Sequence, residues 1–148
     1  MNQYHNTMSS WDDYIKLLFS KSAFITRAAI IGPDGSVWAR SKGNNEFRAT
    51  EKELKKFAAL FNDINSVPAT GADLEEVHYI VPLVDDKLIF GRKQATGFFA
   101  AKANQAIIIG MFEGDPDIRF LGPEPILYQL QLLSIFCLWH FIAFCVLL

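Results

Sequence analysis

Few side chains in this sequence are typed and spaced for covalent chemistry. His78 stands between apolar neighbours with no second His, Cys or Ser placed to work with it, so it reads as a half-buried structural histidine and not as a base or metal ligand. Cys137 and Cys145 lack Cys-x-x-Cys spacing and have no partner elsewhere, which indicates neither a zinc site nor a disulfide framework and fits a reducing compartment. Gly91-Arg92-Lys93 has the composition of a phosphate loop without its glycine spacing, and a turn and strand follow where a P-loop opens a helix. With no nucleophile, base and orienting group in one pattern, the expectation is a protein that is not an enzyme and needs no metal or cofactor. The chemistry the sequence does carry is that of binding. Aromatic residues lie near the N-terminus, at Trp11, Tyr14 and Trp38, and the stretch from Lys87 to Phe112 holds four basic residues and no acidic one, among them Arg92, Lys93 and Lys102.

The elements that must position these residues follow from periodicity and turn chemistry. Ala23 to Arg40 reads as a β-hairpin, with a β-branched and apolar arm from Phe24 to Ile31, a Gly32-Pro33-Asp34-Gly35 turn and an extended return from Ser36. Strict alternation on the return strand puts Trp38, half buried, on one face with Ser36 and Arg40, and turns Val37 and Ala39 toward the core. Ser10 and Asp13 form a capping-box-like start to a helix that runs to Phe19. Along it Trp11, Tyr14 and Leu18 share one stripe, and Ile15 and Phe19 mark an adjacent one. That pattern alone fits either a core stripe or an exposed aromatic face. Thr50-Glu51-Lys52-Glu53 is a second capping box, whose helix runs to about Asn62 and buries Leu54, Phe57, Ala58 and Phe61. Its charges, Glu51, Lys52, Glu53, Lys55 and Lys56, read as a solvated outer face.

From Val77 onward the sequence predicts an antiparallel meander: Val77 to Val84, Leu88 to Arg92, Phe98 to Ala103 and Gln105 to Phe112, with turns at Asp85-Asp86 and Gln94 to Gly97. Pro82 cannot donate a ladder hydrogen bond, so its strand is expected at an edge or with a bulge there. Ala106 to Gly110 is apolar on both faces and therefore central, with helices covering both sides. The fold class is α+β, a central antiparallel β-sheet flanked by helices, and the function class is a binding module.

Several of these stretches together resemble one family. Asp34-Gly35-Ser36-Val37-Trp38-Ala39 resembles the signature hairpin of profilins, and Ser9-Ser10-Trp11-Asp12-Asp13-Tyr14 is similar to their N-terminal Ser-Trp-x-x-Tyr helix. Phe90-Gly91-Arg92-Lys93-Gln94-Ala95-Thr96-Gly97-Phe98-Phe99 and the apolar Ala106 to Met111 follow in the family's order and spacing, with a flavour similar to nematode members. The resemblance covers about Met8 to Gly114 and implies a profilin-like fold in the cytoplasm and cytoskeleton. It implies three partners: monomeric actin, whose polymerisation the family regulates, proline-rich proteins held in an aromatic groove, and phosphoinositide lipids held by basic patches. Trp11, Tyr14 and Trp38 match the family's aromatic positions, which favours a partly exposed Trp11 and Tyr14. Flat rings and an indole donor suit the ridges and free carbonyls of a polyproline II segment. Arg92, Lys93 and Lys102 are the basic residues pointed to for actin or phosphoinositide binding; taken alone they read equally as solubilising strand-edge charges.

Composition bounds the rest. At 148 residues the chain suits one domain, and 14 basic against 16 acidic residues give no global pull toward nucleic acid. The expected organisation is a flexible polar extension at 1–8 without a secretory signal, the profilin-like domain at 9–114, a Pro/Gly linker at 115–125 and an atypical apolar tail at 126–148. The tail departs from the C-terminal helix of the family, so its Tyr128 and His140 take no groove role. As a helix rising about 1.5 Å per residue it is long enough to cross a hydrocarbon core of about 30 Å. Its readings, in order, are a splice or gene-model variant with impaired actin binding, a membrane contact that would make the chain a tail-anchored adaptor, and a substitute terminal helix.

Overall fold

The apolar run from Ile107 to Phe112 organises the architecture, because every one of its residues is buried. Only a strand with neighbours on both edges and cover on both faces satisfies that pattern. In the computed structural model, which describes residues 11–21, 25–103 and 106–113, the elements in chain order are helix α1 (Trp11–Lys21), strands β1 (Ile25–Ile31) and β2 (Val37–Arg40), a 3-10 turn (Gly43–Asn45), helix α2 (Glu51–Ala59), a 3-10 segment (Leu60–Ser66), the short helix α3 (Val67–Thr70), and strands β3 (Ala72–Leu74), β4 (Val77–Asp85), β5 (Leu88–Lys93), β6 (Thr96–Lys102) and β7 (Ile107–Phe112). The strands form one seven-stranded sheet in the order β2-β1-β7-β6-β5-β4-β3, antiparallel at each pairing. The expected α+β architecture is the one found, with β7 in the interior of the sheet.

Each face of the sheet has its own core. On one, α1 lays Tyr14, Ile15 and Leu18 over Ala28, Ile30, Ala39, Ala106 and Ile108. On the other, Leu54, Phe57 and Ala58 of α2 pack with Ile31, Phe98, Ile107 and Ile109. The hairpin tip is clamped against α2: Gly35 has φ +88°, and a Cβ there would lie 2.4 Å from the Lys55 Cα, so only glycine serves both the left-handed turn and the close approach. Across the middle strands, three glycines stand directly opposite phenylalanines, Gly91 opposite Phe98, Gly97 opposite Phe112 and Gly110 opposite Phe99. In each pair the ring occupies the space that a Cβ would need.

One expectation changes here, one element appears that was not foreseen, and one expectation holds. The helix opened by Thr50 ends at Ala59, not near Asn62, and the chain goes on as a 3-10 segment kinked at Asp63, which keeps Phe61 buried. Strand β3 has only three residues, too few for any period to reveal. Pro82 behaves as expected: the β4–β5 register shifts between Ile80 and Leu83, and β3 pairs β4 only from Val77 to Tyr79, so Pro82 lies on an open edge within a bulge. The extension at 1–8, the Ser10 cap, the linker, the apolar tail and both cysteines lie outside the described residues. Among the described residues no helix is long and apolar enough to cross a membrane.

Candidate functional site

The two tryptophans that lie far apart in sequence meet at the seam between α1 and β2. Their ring centroids are 5.1 Å apart with planes tilted by 39°. Both are half-buried, resting on the α1-side core with one flank in solvent. The β2 backbone explains how Trp38 reaches this seam. Ile30 pairs with Ala39 and Ile31 with Val37, which leaves Trp38 as an extra residue in a bulge. Strict alternation therefore fails: Ala39 and Trp38 both lie on the α1 side while Val37 packs on the α2 side, against the expectation that Val37 and Ala39 share a face. Tyr14 is a second correction. It is fully buried instead of partly exposed, because α1 lies flush on the sheet and Tyr14 stands in the centre of its contact stripe. It belongs to the foundation of the tryptophan pair and not to its surface.

Trp38 is held from the hairpin turn. Its indole N–H donates to the Ser36 hydroxyl (3.2 Å), and Ser36 donates both its hydroxyl (2.7 Å) and its backbone N–H (3.1 Å) to the Asp34 carboxylate. These bonds from Ser36, the hydroxyl first, hold the Asp34 carboxyl below the ordinary carboxylate range. Gly32 lies beneath the group, where a Cβ would fall 2.8 Å from Asp34 Oδ1 and 3.1 Å from Trp38 Cζ2.

The basic residues do not form one patch. Arg92 and Lys93 sit at the turn end of the β5–β6 hairpin, where Arg92 Nε donates to the Gln94 carbonyl (3.0 Å). Lys102 lies at the opposite end, its N–H on the Lys87 carbonyl, about six residues or roughly 20 Å of strand away. Facing Arg92 across the β4–β5 pairing is Ile80, 65% exposed and the one large apolar side chain so exposed among the described residues. Strand parity could have found it, since Ile80 shares its outward side with His78 and Pro82.

With this geometry, an antiparallel sheet between helices and a tryptophan pair at the α1–β2 seam, the comparisons with known proteins are direct. The Profilin family model matches residues 9–117. The chain belongs to the profilin family. It is 78% identical over 108 residues to profilin-2 of Caenorhabditis elegans, covering 73% of this chain and 82% of that one. It is 51% identical over 112 residues to profilin-1 of the same organism, covering 75% and 85%. Among solved profilins, that of Acanthamoeba castellanii profilin IA superposes with a TM-score of 0.69 at 28% identity, over 88% of this chain and 98% of that one. Two more distant structures share the profilin fold: LokiProfilin2 in complex with rabbit actin (TM-score 0.62, 15% identity, 84% and 92% covered) and mouse profilin IIa in complex with a double repeat from the FH1 domain of mDia1 (TM-score 0.54, 20% identity, 71% and 84% covered).

Elsewhere in the profilin domain, charged residues expected to be solvated carry structure. Thr50 Oγ1 accepts the Glu53 N–H (3.2 Å), the first half of a capping box. The Glu53 carboxylate does not return to the cap, however. It accepts the N–H groups of Glu75 (2.7 Å) and Glu76 (2.8 Å), both at positive φ in the β3–β4 turn, whose amides converge into an anion-binding concavity. Glu75 then accepts Arg27 Nε (3.0 Å to Oε1) and the Arg48 N–H (2.8 Å), and Arg27 also reaches Glu113. Burial works against the Arg27 charge, but its bonds to Glu75 and Glu113 outweigh that and raise its pKa. His78 is exposed, not half-buried, because β3 and β4 form the outer edge; its Nδ1 lies 2.6 Å from Asp73 Oδ1 on the facing strand. Among the described residues no three His, Cys, Asp or Glu side chains are grouped to hold a metal ion.

Proposed function

We propose that this chain is a cytoplasmic actin-monomer-binding protein, a binding protein and not an enzyme, that regulates actin polymerisation and takes proline-rich segments at the Trp11–Trp38 seam. The observation that carries the reading is the tryptophan pair itself, two tilted and half-buried rings 5.1 Å apart on a rigid base that includes Tyr14. Such a platform suits a polyproline II helix, which is already extended and loses little freedom on binding. Membership of the profilin family and the actin and FH1 complexes of its distant members support the same reading. Arg92, Lys93 and the exposed Ile80 beside them form an apolar and cationic surface suited to actin, and the two cations to phosphoinositide headgroups. Lys102 stands apart from that surface and contributes to it only through a footprint that spans the hairpin.

The test is titration of the full-length chain with a labelled polyproline peptide and, separately, with pyrene-labelled actin. Trp11→Ala should weaken peptide binding by about 2 kcal/mol, the scale of an interface aromatic anchor, with far-UV circular dichroism nearly unchanged. Peptide binding as tight as the parent's would remove Trp11 from the groove. Polymerisation kinetics unaffected by excess parent protein would remove the actin reading.

A further inference from the structure

We propose that the cleft continuing the α1–β2 seam beyond the tryptophans is a second subsite, which binds an anionic side chain three or four residues past the prolines seated on Trp11 and Trp38. The proposal rests on the proline-peptide reading above and names the kind of peptide that the groove prefers. The cleft has a volume of about 460 Å³. Its floor is apolar, made by Ile15 and Phe19, which follow Trp11 at one and two helical turns. Its mouth is cationic, with Lys16 on the helix side and Arg40 and Lys42 on the strand side, against Asp12 alone of opposite sign. The strand wall begins two residues beyond Trp38, so the cleft opens where the ring pair ends.

The polar groups at this mouth are unequally occupied. The Ser41 hydroxyl is committed to the Asn45 carbonyl (2.6 Å) and the Ala28 N–H (3.1 Å), so it buttresses the loop and has little to offer a ligand. Arg40 gives one Nη1 contact to the Phe47 carbonyl (3.0 Å), which fixes its stem and leaves the rest of its fork. Among the described residues neither Lys16 nor Lys42 has an ion-pair partner. Both are exposed at the mouth of a cleft whose floor is apolar. Lys16 and Phe19 lie about 8 and 12 Å along the helix from Trp11 at about 1.5 Å per residue. A polyproline II chain covers that distance in three or four residues at about 3.1 Å each. An acidic residue at that spacing meets the cations while its backbone passes over Ile15 and Phe19.

Anisotropy titrations of the full-length chain at low salt, where exposed charges are least screened, compare a plain polyproline peptide with versions carrying two glutamates three and four residues beyond either end of the proline run. One of the two acidic peptides should bind about fivefold tighter than the plain one, the scale of two exposed ion pairs. The gain should appear at one end only, because the cleft lies to one side of the ring pair. Lys16→Gln combined with Lys42→Gln should abolish the gain and leave plain-peptide affinity unchanged, while Lys52→Gln on α2 should leave the gain intact. Equal binding of acidic and plain peptides, or a preference that survives the double variant, overturns the subsite while the proline groove stands. No binding of the plain peptide overturns both. If the peptide preference is absent but the double variant loses binding to vesicles containing a polyphosphoinositide, the cleft is a lipid-headgroup site and the proposal fails.

Discussion

Trp38 donates its indole N–H to Ser36, a residue two positions earlier that is itself anchored on Asp34. The ring that forms half of the candidate groove is therefore steered by its own hairpin turn, and its donor is already in use before any peptide arrives. Ser36→Ala should release it. The expected loss of polyproline affinity is about 1 kcal/mol, the net worth of one hydrogen bond, together with a weaker near-UV circular dichroism band from a less constrained indole. Unchanged affinity and an unchanged band would show that packing alone sets the ring.

Glu53 is expected to matter more than its half-buried position among the outer charges of α2 implies. Its carboxylate satisfies two backbone amides of a left-handed turn, and such charge-assisted bonds are worth roughly 1.5–3 kcal/mol each. Glu53→Ala should destabilise the chain by about 2–3 kcal/mol in urea titration, and Glu53→Gln by less, since the amide keeps one acceptor. Two variants as stable as the parent would mean that water replaces the carboxylate without cost.

Stability should fall at alkaline pH through Tyr79. Burial, and after it the charge of Glu75, raises the pKa of this phenol. The folded chain thus holds the proton more tightly than the unfolded chain, whose tyrosines titrate near about 10. The contribution is fully present below that unfolded value and is lost as pH rises through the folded one. Tyr79→Phe keeps the edge-on contact with Phe98 and should flatten the decline in urea midpoint above about pH 10. An equally steep decline in the variant would assign it to other groups.

Charge reversal at the β5–β6 turn separates the two proposed surfaces. Arg92→Glu with Lys93→Glu should weaken binding to actin and to anionic vesicles, through fields that reach about 8 Å at physiological salt. It should spare polyproline binding on the α1–β2 seam. Parallel loss of both activities would point to misfolding.

Much of this fold was legible because its signals are local. The continuous apolarity of β7, the Gly32 to Gly35 turn and the stripes on α1 and α2 each report an element from a few adjacent residues. Pro82 announced its own bulge through a missing donor. What escaped was set by distance or by a single inserted residue. The amides that Glu53 caps lie 22 and 23 positions further on, and no helical period carries that information. The bulge at Trp38 leaves no mark in composition, yet it moves the ring to the other face of the expected alternation. Tyr14 has an aromatic type that suits a surface as well as a core, and only the seating of α1 on the sheet decides between them. Of the three aromatic residues expected to line the groove, Trp11 and Trp38 meet as half-buried rings at one seam, while Tyr14 lies beneath them.

The glycine–phenylalanine pairs across β5, β6 and β7 have a further consequence. Each works only in one alignment, with a large ring over a residue that has no side chain. A slip of one residue between β6 and β7 would set Phe99 against Ile109 or Met111 in place of Gly110, where its ring would meet a side chain. Nearby apolar strands of similar length offer many nearly equivalent ways to zip together, and a run such as Ile107-Ile108-Ile109 cannot tell one from another. The pairs act as a ruler. They make the wrong alignments sterically expensive while the sheet is still assembling, so that the most sticky strand of the chain is also the one that can be laid down in only one place.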